Sequence, residues 1–281
     1  MLPQDTFVTI KSKDSILKKY ISYYYFHQSS DSNFKKKFTF YPNFIHGLTA
    51  YKNSDLEFDG MTSLVNSNVN AKINILYTMN YSQNISVSLN GCFNKIGVAF
   101  QVAGINHFVS EELCKIYNNV TKEFNYFGKE FEEVLSNVFK TDNLDIKCNL
   151  LDNFFLSKLV NFKHSVLIDC LNMIIESNGT IKVETLVETT GINRKTLLRH
   201  FQKHFCCSIE EYKKMVKFRN TLNFTQSELE FNSLTEISLY NHYYDQSDFN
   251  KQFKTITNYT PKELLSKIKK MGEEGTYWVF E

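Results

Sequence analysis

The stretch 193–203, Asn-Arg-Lys-Thr-Leu-Leu-Arg-His-Phe-Gln-Lys, sets out polar groups at helical spacing. With Leu197 and Phe201 turned inward, Lys195, Leu198, Arg199 and Gln202 form the outward stripe. A guanidinium such as Arg199 can give two hydrogen bonds to one guanine, and Leu198 can meet a thymine methyl. Arg194, Thr196 and Lys203 flank the stripe and suit phosphate oxygens. Asn193 is placed to cap the helix. The blander reading is a solvated charged face, against which the apolar Leu198 among polar neighbours argues. A second stretch, 245–251, presents Gln246, Ser247, Asn250 and Lys251 outward beside Asp248, with Asp245 as the cap. Asp248 repels phosphate and can accept only from a base such as cytosine. This second stretch is expected to read less sequence, with Gln246 and Asn250 its candidates for base contact.

Catalytic chemistry has no comparable footing. His46 and His107 are lone histidines without a His-x-His partner or a carboxylate at metal-ligand spacing. Neither a glycine-rich phosphate loop nor a nucleophile elbow is present. The six cysteines, Cys92, Cys114, Cys148, Cys170, Cys206 and Cys207, include no C-x-x-C pair. They read as small buried thiols of a reduced, cytoplasmic protein. No signal-peptide pattern opens the chain and no apolar run reaches a membrane span. No cofactor, no metal and no membrane partner are expected.

Both stretches need helices to position them, and residues 181–265 carry one helical pattern twice. A short helix is marked by Val183, Leu186 and Val187 in the first copy and by Leu234, Ile237 and the small Ser238 in the second. A turn follows, at Gly191 and at Asn241-His242. The next helix has apolar residues four apart, Leu197, Phe201 and Phe205, then Phe249 and Phe253. Ser208-Ile209-Glu210-Glu211 and Thr260-Pro261-Lys262-Glu263 are both capping boxes, and Pro261 suits a first helical position. The first helices repeat at an offset of 51 residues and the second at 52, so the second turn is one residue longer. Two helix–turn–helix units in tandem follow, at about 183–204 and 234–254. The helix between them, from Ser208 to about Thr225, spans roughly 26 Å. That is near the ~34 Å between successive major-groove faces on one side of a duplex.

This layout resembles the DNA-binding half of AraC/XylS-type bacterial transcription regulators. The residues that carry the resemblance are Leu186-Val187, Gly191-Ile192-Asn193, Leu197, Arg199, Phe201, Ser208, Tyr212, Thr235-Glu236-Ile237-Ser238, Asp245-Gln246-Ser247, Phe249, Phe253-Lys254 and Thr260-Pro261. Glycines of the family are replaced by Cys206, His242 and Asn258. Asn258 tolerates a left-handed backbone, whereas Cys206 and His242 do so only at a cost, so those turns are expected to differ locally. A usual Phe is Thr257, a usual Ala is Thr221, a capping Ser is Lys182, and Tyr244 stands in place of another. The segment Gly97–Gly104 is similar to the last strand and glycine turn of some sensor halves in the same family. The resemblance implies double-stranded DNA as partner. RNA polymerase, a small-molecule effector and a second copy of the chain are further partners of the family.

The rest of the chain fits a two-part plan. Of 281 residues, 42% are hydrophobic and 15% aromatic, enough for two cores, while only 3 Pro and 10 Gly argue against long linkers. The formal charge is +2, yet residues 181–270 hold 15 Lys and Arg against 10 Asp and Glu, so the basic excess sits in the C-terminal half. From 38 to 109 the hydrophobic period is two: Ile73, Ile75, Tyr77 and Met79, then Ile85, Val87 and Leu89. Asn90-Gly91 before Cys92–Phe100 is the strongest local hairpin signal. The aromatic run Tyr20–His27 fits an edge helix or a first strand, and Lys35–Lys37 a loop or strand start. Tyr23–Phe26 and Phe38–Phe44 could line an apolar effector cavity or simply fill the core. Helical stripes follow at Phe131–Phe139 and Leu151–Leu159, packing on the sheet or pairing two copies of the chain, and a third at Val166–Ile175 begins the DNA-binding domain.

The expected fold is α+β. A β-rich, cupin-like or mixed-sheet sensor and dimerisation domain covers 1–160, strands to about 109 and helices over 110–160. An all-α domain of two helix–turn–helix units and a linking helix covers 164–270, and 271–281 forms a tail. The expected function is a sequence-specific DNA-binding transcription regulator. Its rivals are a protein-interaction module with a redirected helix pair, suggested by Asp248, His242 and Cys206, and an enzyme fused to a DNA-binding domain.

Overall fold

The computed structural model describes residues 5–59, 61–79, 81–117, 121–225, 233–271 and 276–280; the first four residues, part of the stretch scanned for a signal peptide, lie outside these. Nine strands come first: β1 (Thr6–Ile10), β2 (Ile21–Ser29), β3 (Lys35–Phe40), β4 (His46–Lys52), β5 (Ser54–Phe58), β6 (Thr62–Ser67), β7 (Asn74–Thr78), β8 (Ile85–Asn90) and β9 (Phe93–Phe100). A short helix α1 (Leu113–Ile116) and a strand β10 (Thr121–Glu123) precede α2 (Gly128–Phe139) and α3 (Leu144–Ser157). Seven further helices follow: α4 (Ser165–Glu176), α5 (Val183–Thr190), α6 (Arg194–Phe205), α7 (Ile209–Thr225), α8 (Leu234–Tyr240), α9 (Gln246–Thr257) and α10 (Pro261–Lys267). Two strands, β11 (Ile268–Met271) and β12 (Thr276–Phe280), complete the described chain.

The strands form two six-stranded sheets, ordered β1-β2-β9-β4-β7-β10 and β11-β12-β3-β8-β6-β5. Between them lies a core of Phe38, Tyr51, Val65, Leu76, Ile85, Val87, Leu89 and Phe93. The other face of the first sheet, with Tyr24, Leu48, Tyr77, Val98 and Phe100, packs on α2 and α3 through Phe131, Leu135, Leu151 and Phe155. The α2 and α3 stripes are thus buried within their own chain. Tyr20–His27 resolves as β2, an inner strand beside β1 and β9, and Lys35–Lys37 opens β3. The expected helical stretch 110–160 contains one strand, β10, paired with β7.

Asn90-Gly91 does not form a hairpin. Asn90 pairs with Lys35 on β3, whereas Phe93 pairs with Ser29 on β2, so the turn carries the chain from one sheet to the other. A type I′ turn needs positive φ at both central residues, but only Gly91 (φ 75°) has it, and its N–H is taken by Phe34 O at 2.8 Å. The cause is burial. Strand β8 is buried on alternate residues and suits a sheet with one open face, while β9 is buried almost throughout and must lie inside a sheet covered on both sides.

The expectation that Cys206 and His242 would alter their turns is also corrected. Both adopt the left-handed backbone, at φ 54° and 59°, as Asn258 does at 64°. Forcing a non-glycine residue there costs about 1–2 kcal/mol, which local contacts offset. Cys206 Sγ lies 3.5 Å from Tyr117 O, and His242 O accepts from Lys217 Nζ at 2.6 Å.

The segment 271–281, expected as a tail, instead supplies β12, whose residues Trp278–Phe280 pair antiparallel with Phe38–Phe40 of β3. The two ends of the helical half therefore both return to the sandwich. Among the described residues no helix is long and apolar enough to cross a membrane.

Candidate nucleic-acid interface

Helix α5 ends where Gly191 takes φ 66° and donates its N–H to Val187 O at 2.9 Å. Two residues later the Asn193 side chain accepts from Thr196 N at 2.9 Å and starts α6. Leu197, Phe201 and Phe205 are buried, so the opposite face is fixed by default. Lys195, Leu198, Arg199 and Gln202 are all exposed along it, Leu198 by 37%. Thr196 is half-buried beside the stripe.

The two flanking cations are engaged. Arg194 pairs with Glu184 at 2.9 Å, both well exposed, an arrangement cheap to exchange for a phosphate. Lys203 sits at 2.5 Å from Glu112, on the approach to α1, and this ion pair holds the Glu112 carboxyl below its usual range. The structure thus turns Lys203 toward the N-terminal half. Asn106 donates to His204 O at 2.9 Å and reinforces the same contact.

The second pair repeats the plan with different chemistry. Ser233 caps α8 through Glu236 N, and Asp245 caps α9 through Asp248 N at 2.7 Å. Phe249 and Phe253 are buried; Gln246, Ser247 and Lys251 are exposed and Asn250 half-exposed. Gln246 Oε1 accepts from Thr235 Oγ1 at 2.8 Å. Asp248 is turned onto its own helix. Both carboxylate oxygens accept from Gln252 Nε2 at 2.9 Å, Tyr244 N adds 3.3 Å, and these bonds, led by Gln252, lower its pKa. Asp248 is therefore a local acceptor in this arrangement. Tyr244, which the sequence offered only as a missing cap, is 90% exposed at the start of α9.

Helix α7 joins the pairs over 17 residues, started by the Ser208–Glu211 capping box, in which Glu211 N donates to Ser208 Oγ at 3.1 Å and Ser208 N to Glu211 Oε2 at 2.8 Å. Its cations serve different ends. Lys214 is exposed, Lys213 bonds Glu210, and Lys217 lies over the Tyr243 ring at 4.1 Å. Arg219 is buried and reaches away from solvent into a cavity of about 140 Å³ in the sandwich. Tyr23, Tyr25, Phe38, Phe40 and Tyr41 line that cavity, so part of the aromatic stretches considered at 23–26 and 38–44 does face a hollow. Lys95 also lines it, over the Phe38 and Tyr51 rings at 5.3 and 5.8 Å; burial pushes its ammonium down to about 7. His46, at the same wall, hydrogen-bonds Tyr77 Oη at 2.8 Å and is held neutral by burial, down to about 3. Lys95 carried no local sequence signal, and Arg219, expected with Lys213, Lys214 and Lys217 to add positive charge to the linking helix, instead turns inward; only the fold brings the two together.

No protein-family model and no curated protein sequence matches the chain. Solved structures of ToxT from Vibrio cholerae are similar in outline. One covers 94% of this chain and 97% of its own at 13% identity and a TM-score of 0.45. A wild-type ToxT with a bound unsaturated fatty acid, from strain SCE256, covers 87% and 95% at 14% identity and 0.47. A third, from strain O395 and bound to (E)-4-(8-methylnaphthalen-1-yl)but-3-enoic acid, covers 94% and 98% at 15% identity and 0.42.

Proposed function

We propose that this chain is a sequence-specific transcription regulator that binds double-stranded DNA through two helix–turn–helix units and senses an apolar anion in its β-sandwich. The observation that carries the reading is the α6 stripe: a capped helix, buried on one side, offers Lys195, Leu198, Arg199 and Gln202 to solvent on the other. A helix of that kind fits the major groove, with Arg199 suited to a guanine and Leu198 to a thymine methyl. Asn193, Arg194, Thr196 and Lys203 would position it on phosphates, Lys203 after leaving Glu112. Gln246, Ser247, Asn250 and Lys251 of α9 would supply the second, less selective contact. The cavity supports the sensing half: aromatic walls favour an apolar body, and the basic side chains Lys95 and Arg219 in its lining suit an anionic end. Because Arg219 belongs to α7, an occupant that draws on it bears directly on the spacer between the two units. A second copy of the chain and RNA polymerase complete the reading as partners.

Selection of binding sequences from a random DNA pool tests this. Enrichment of a defined site by the intact protein, lost in Arg199→Ala, is expected; equal enrichment by both would remove site-specific recognition through α6.

One observation favours a protein partner for the second pair. Leu239 and Tyr240 at the end of α8 and Tyr244 just before α9 are exposed by 61%, 64% and 90%. Were this the chain's principal surface, DNA binding would be absent even at low salt, where a polyanion reader binds best.

A further inference from the structure

Helix α6 carries two histidines one turn apart, His200 and His204, on the flank that faces away from the exposed stripe. Residues four apart on a helix lie on one side, and against that side the chain lays His164, the residue that opens α4. The ring centroids are 4.3 Å apart for His164–His204, 5.3 Å for His164–His200 and 5.8 Å for His200–His204. One nitrogen from each ring lies within 4.8 Å of the other two. The Nδ1 atom of His200 is buried and has no hydrogen-bond partner. Phe162 packs on His164 and His204 at 5.3 and 5.4 Å, closing one side with an apolar ring.

We infer that His164, His200 and His204 form a three-imidazole site for a first-row transition-metal dication such as Zn2+. Three neutral imidazoles with room for a fourth ligand make a tetrahedral donor set suited to such an ion. Metal–nitrogen bonds of about 2.0–2.1 Å place ligand nitrogens roughly 3.3 Å apart, so the rings need close in by no more than about 1.5 Å. His164 and His200 are partly exposed and can make that adjustment, while the buried His204 supplies the fixed point. The Glu112 carboxylate acts electrostatically on both His200 and His204 and offsets added positive charge, although Lys203 opposes it. An ion here would pin the turn that leads into α4 to the helix that carries Arg199. The site stands whether or not α6 reads DNA.

The test titrates the full-length, untagged, reduced protein with Zn2+ by calorimetry and with Co2+ by visible spectroscopy. The expected result is one ion per chain and the d–d absorption of tetrahedral Co2+ without a thiolate charge-transfer band. His164→Ala and His200→Ala should each weaken binding by about tenfold or more, and His242→Ala, in an exposed turn, should leave it unchanged. Circular dichroism of the two variants separates lost ligation from lost folding, and both are expected to fold because neither residue is fully buried. Binding unaffected by either variant, a thiolate band, or no binding at all would each overturn the site and leave the three rings as a packed cluster.

Discussion

The two helix pairs share a plan and differ in what holds them. In the first, Leu186, Leu197, Phe201, Phe205 and Tyr212 belong to one continuous core with the β-sandwich and α2–α3, extending as far as Leu17. In the second, Ile237, Tyr243, Phe249, Phe253 and Leu264 form a separate cluster that meets the sandwich at Tyr41. The polar side follows suit: α6 is fastened to the N-terminal half by Asn106 and Glu112, whereas α9 is satisfied by its own neighbours Thr235, Tyr244 and Gln252. One sequence pattern has thus produced a unit built into the body and a unit that keeps its own core. The first is continuous with the sheet face that α2 and α3 cover, and the second meets the cavity wall at Tyr41.

The largest effect that could break this contrast is on stability. Phe201→Ala and Phe249→Ala each remove a fully buried ring, a loss of about 3–5 kcal/mol. Hydrogen exchange should show Phe201→Ala loosening the sandwich and the first pair together, and Phe249→Ala opening only α8–α10. Equal spread of protection loss in both would merge the two units into one.

Recognition comes next. Arg199→Ala should cost ~1–3 kcal/mol on the selected site and relax one base position. Gln246→Ala should cost less than half as much, since its loss removes a group already bonded to Thr235. Competition binding on the selected and scrambled duplexes measures both; a larger cost at Gln246 would reverse the assignment of principal reader.

A smaller effect probes α7, which joins the units. Lys95 has its pKa lowered to about 7 by burial; Lys36 opposes its charge and Asp5 supports it, with Arg219 and the neutral His46 at the same cavity. Below pH 7 the ammonium is charged, so a benzoate probe, of a size suited to a cavity of about 140 Å³, should bind best there and progressively weaker above it. Lys95→Met should bind it more weakly and without that pH dependence. Since the folded pKa lies below the unfolded ~10.4, the unfolded chain holds more protons between those values, and this group's contribution to stability rises with pH across that window. Calorimetric titration at pH 6 and 8.5, with thermal melts of both proteins, reads both effects.

The smallest change expected is at the α1–α6 fastening. Glu112→Gln removes the charge that holds Lys203, freeing it for phosphate. DNA affinity should rise a few-fold on all sequences alike, with the salt slope steeper by about one unit. A gain confined to one sequence would make Lys203 a base reader instead.

The helical half was legible because its signals are local. Asn193, Asp245 and Thr260 cap helices through side chains one turn away, and Leu197, Phe201, Phe249 and Phe253 repeat at the helix period, so position follows from spacing alone. The sandwich was legible in kind and not in connection. Asn90-Gly91 suggested a hairpin because turn chemistry is local, but which sheet accepts β9 depends on burial of both its faces, a property of distant strands. The same limit hid the cavity and the histidine cluster. Lys95 and Arg219 are separated by over a hundred residues and have no spacing to recognise; His200 and His204 do stand at the i, i+4 spacing of a ligand pair, but His164 joins them only through the fold. The ion pair of Lys203 with Glu112 is invisible in the sequence for the same reason, since Glu112 lies on another element.

The pairing of β12 with β3 has a mechanical consequence. The second helix pair is slung between α7 and β12, and both supports rest on the sandwich near Phe38 and Phe40. A body hung from two points can tilt but not drift, so its swing is confined to rotation about the line joining them. Severing the chain after Lys267 would leave a single tether, and hydrogen exchange across α8 and α9 should then rise.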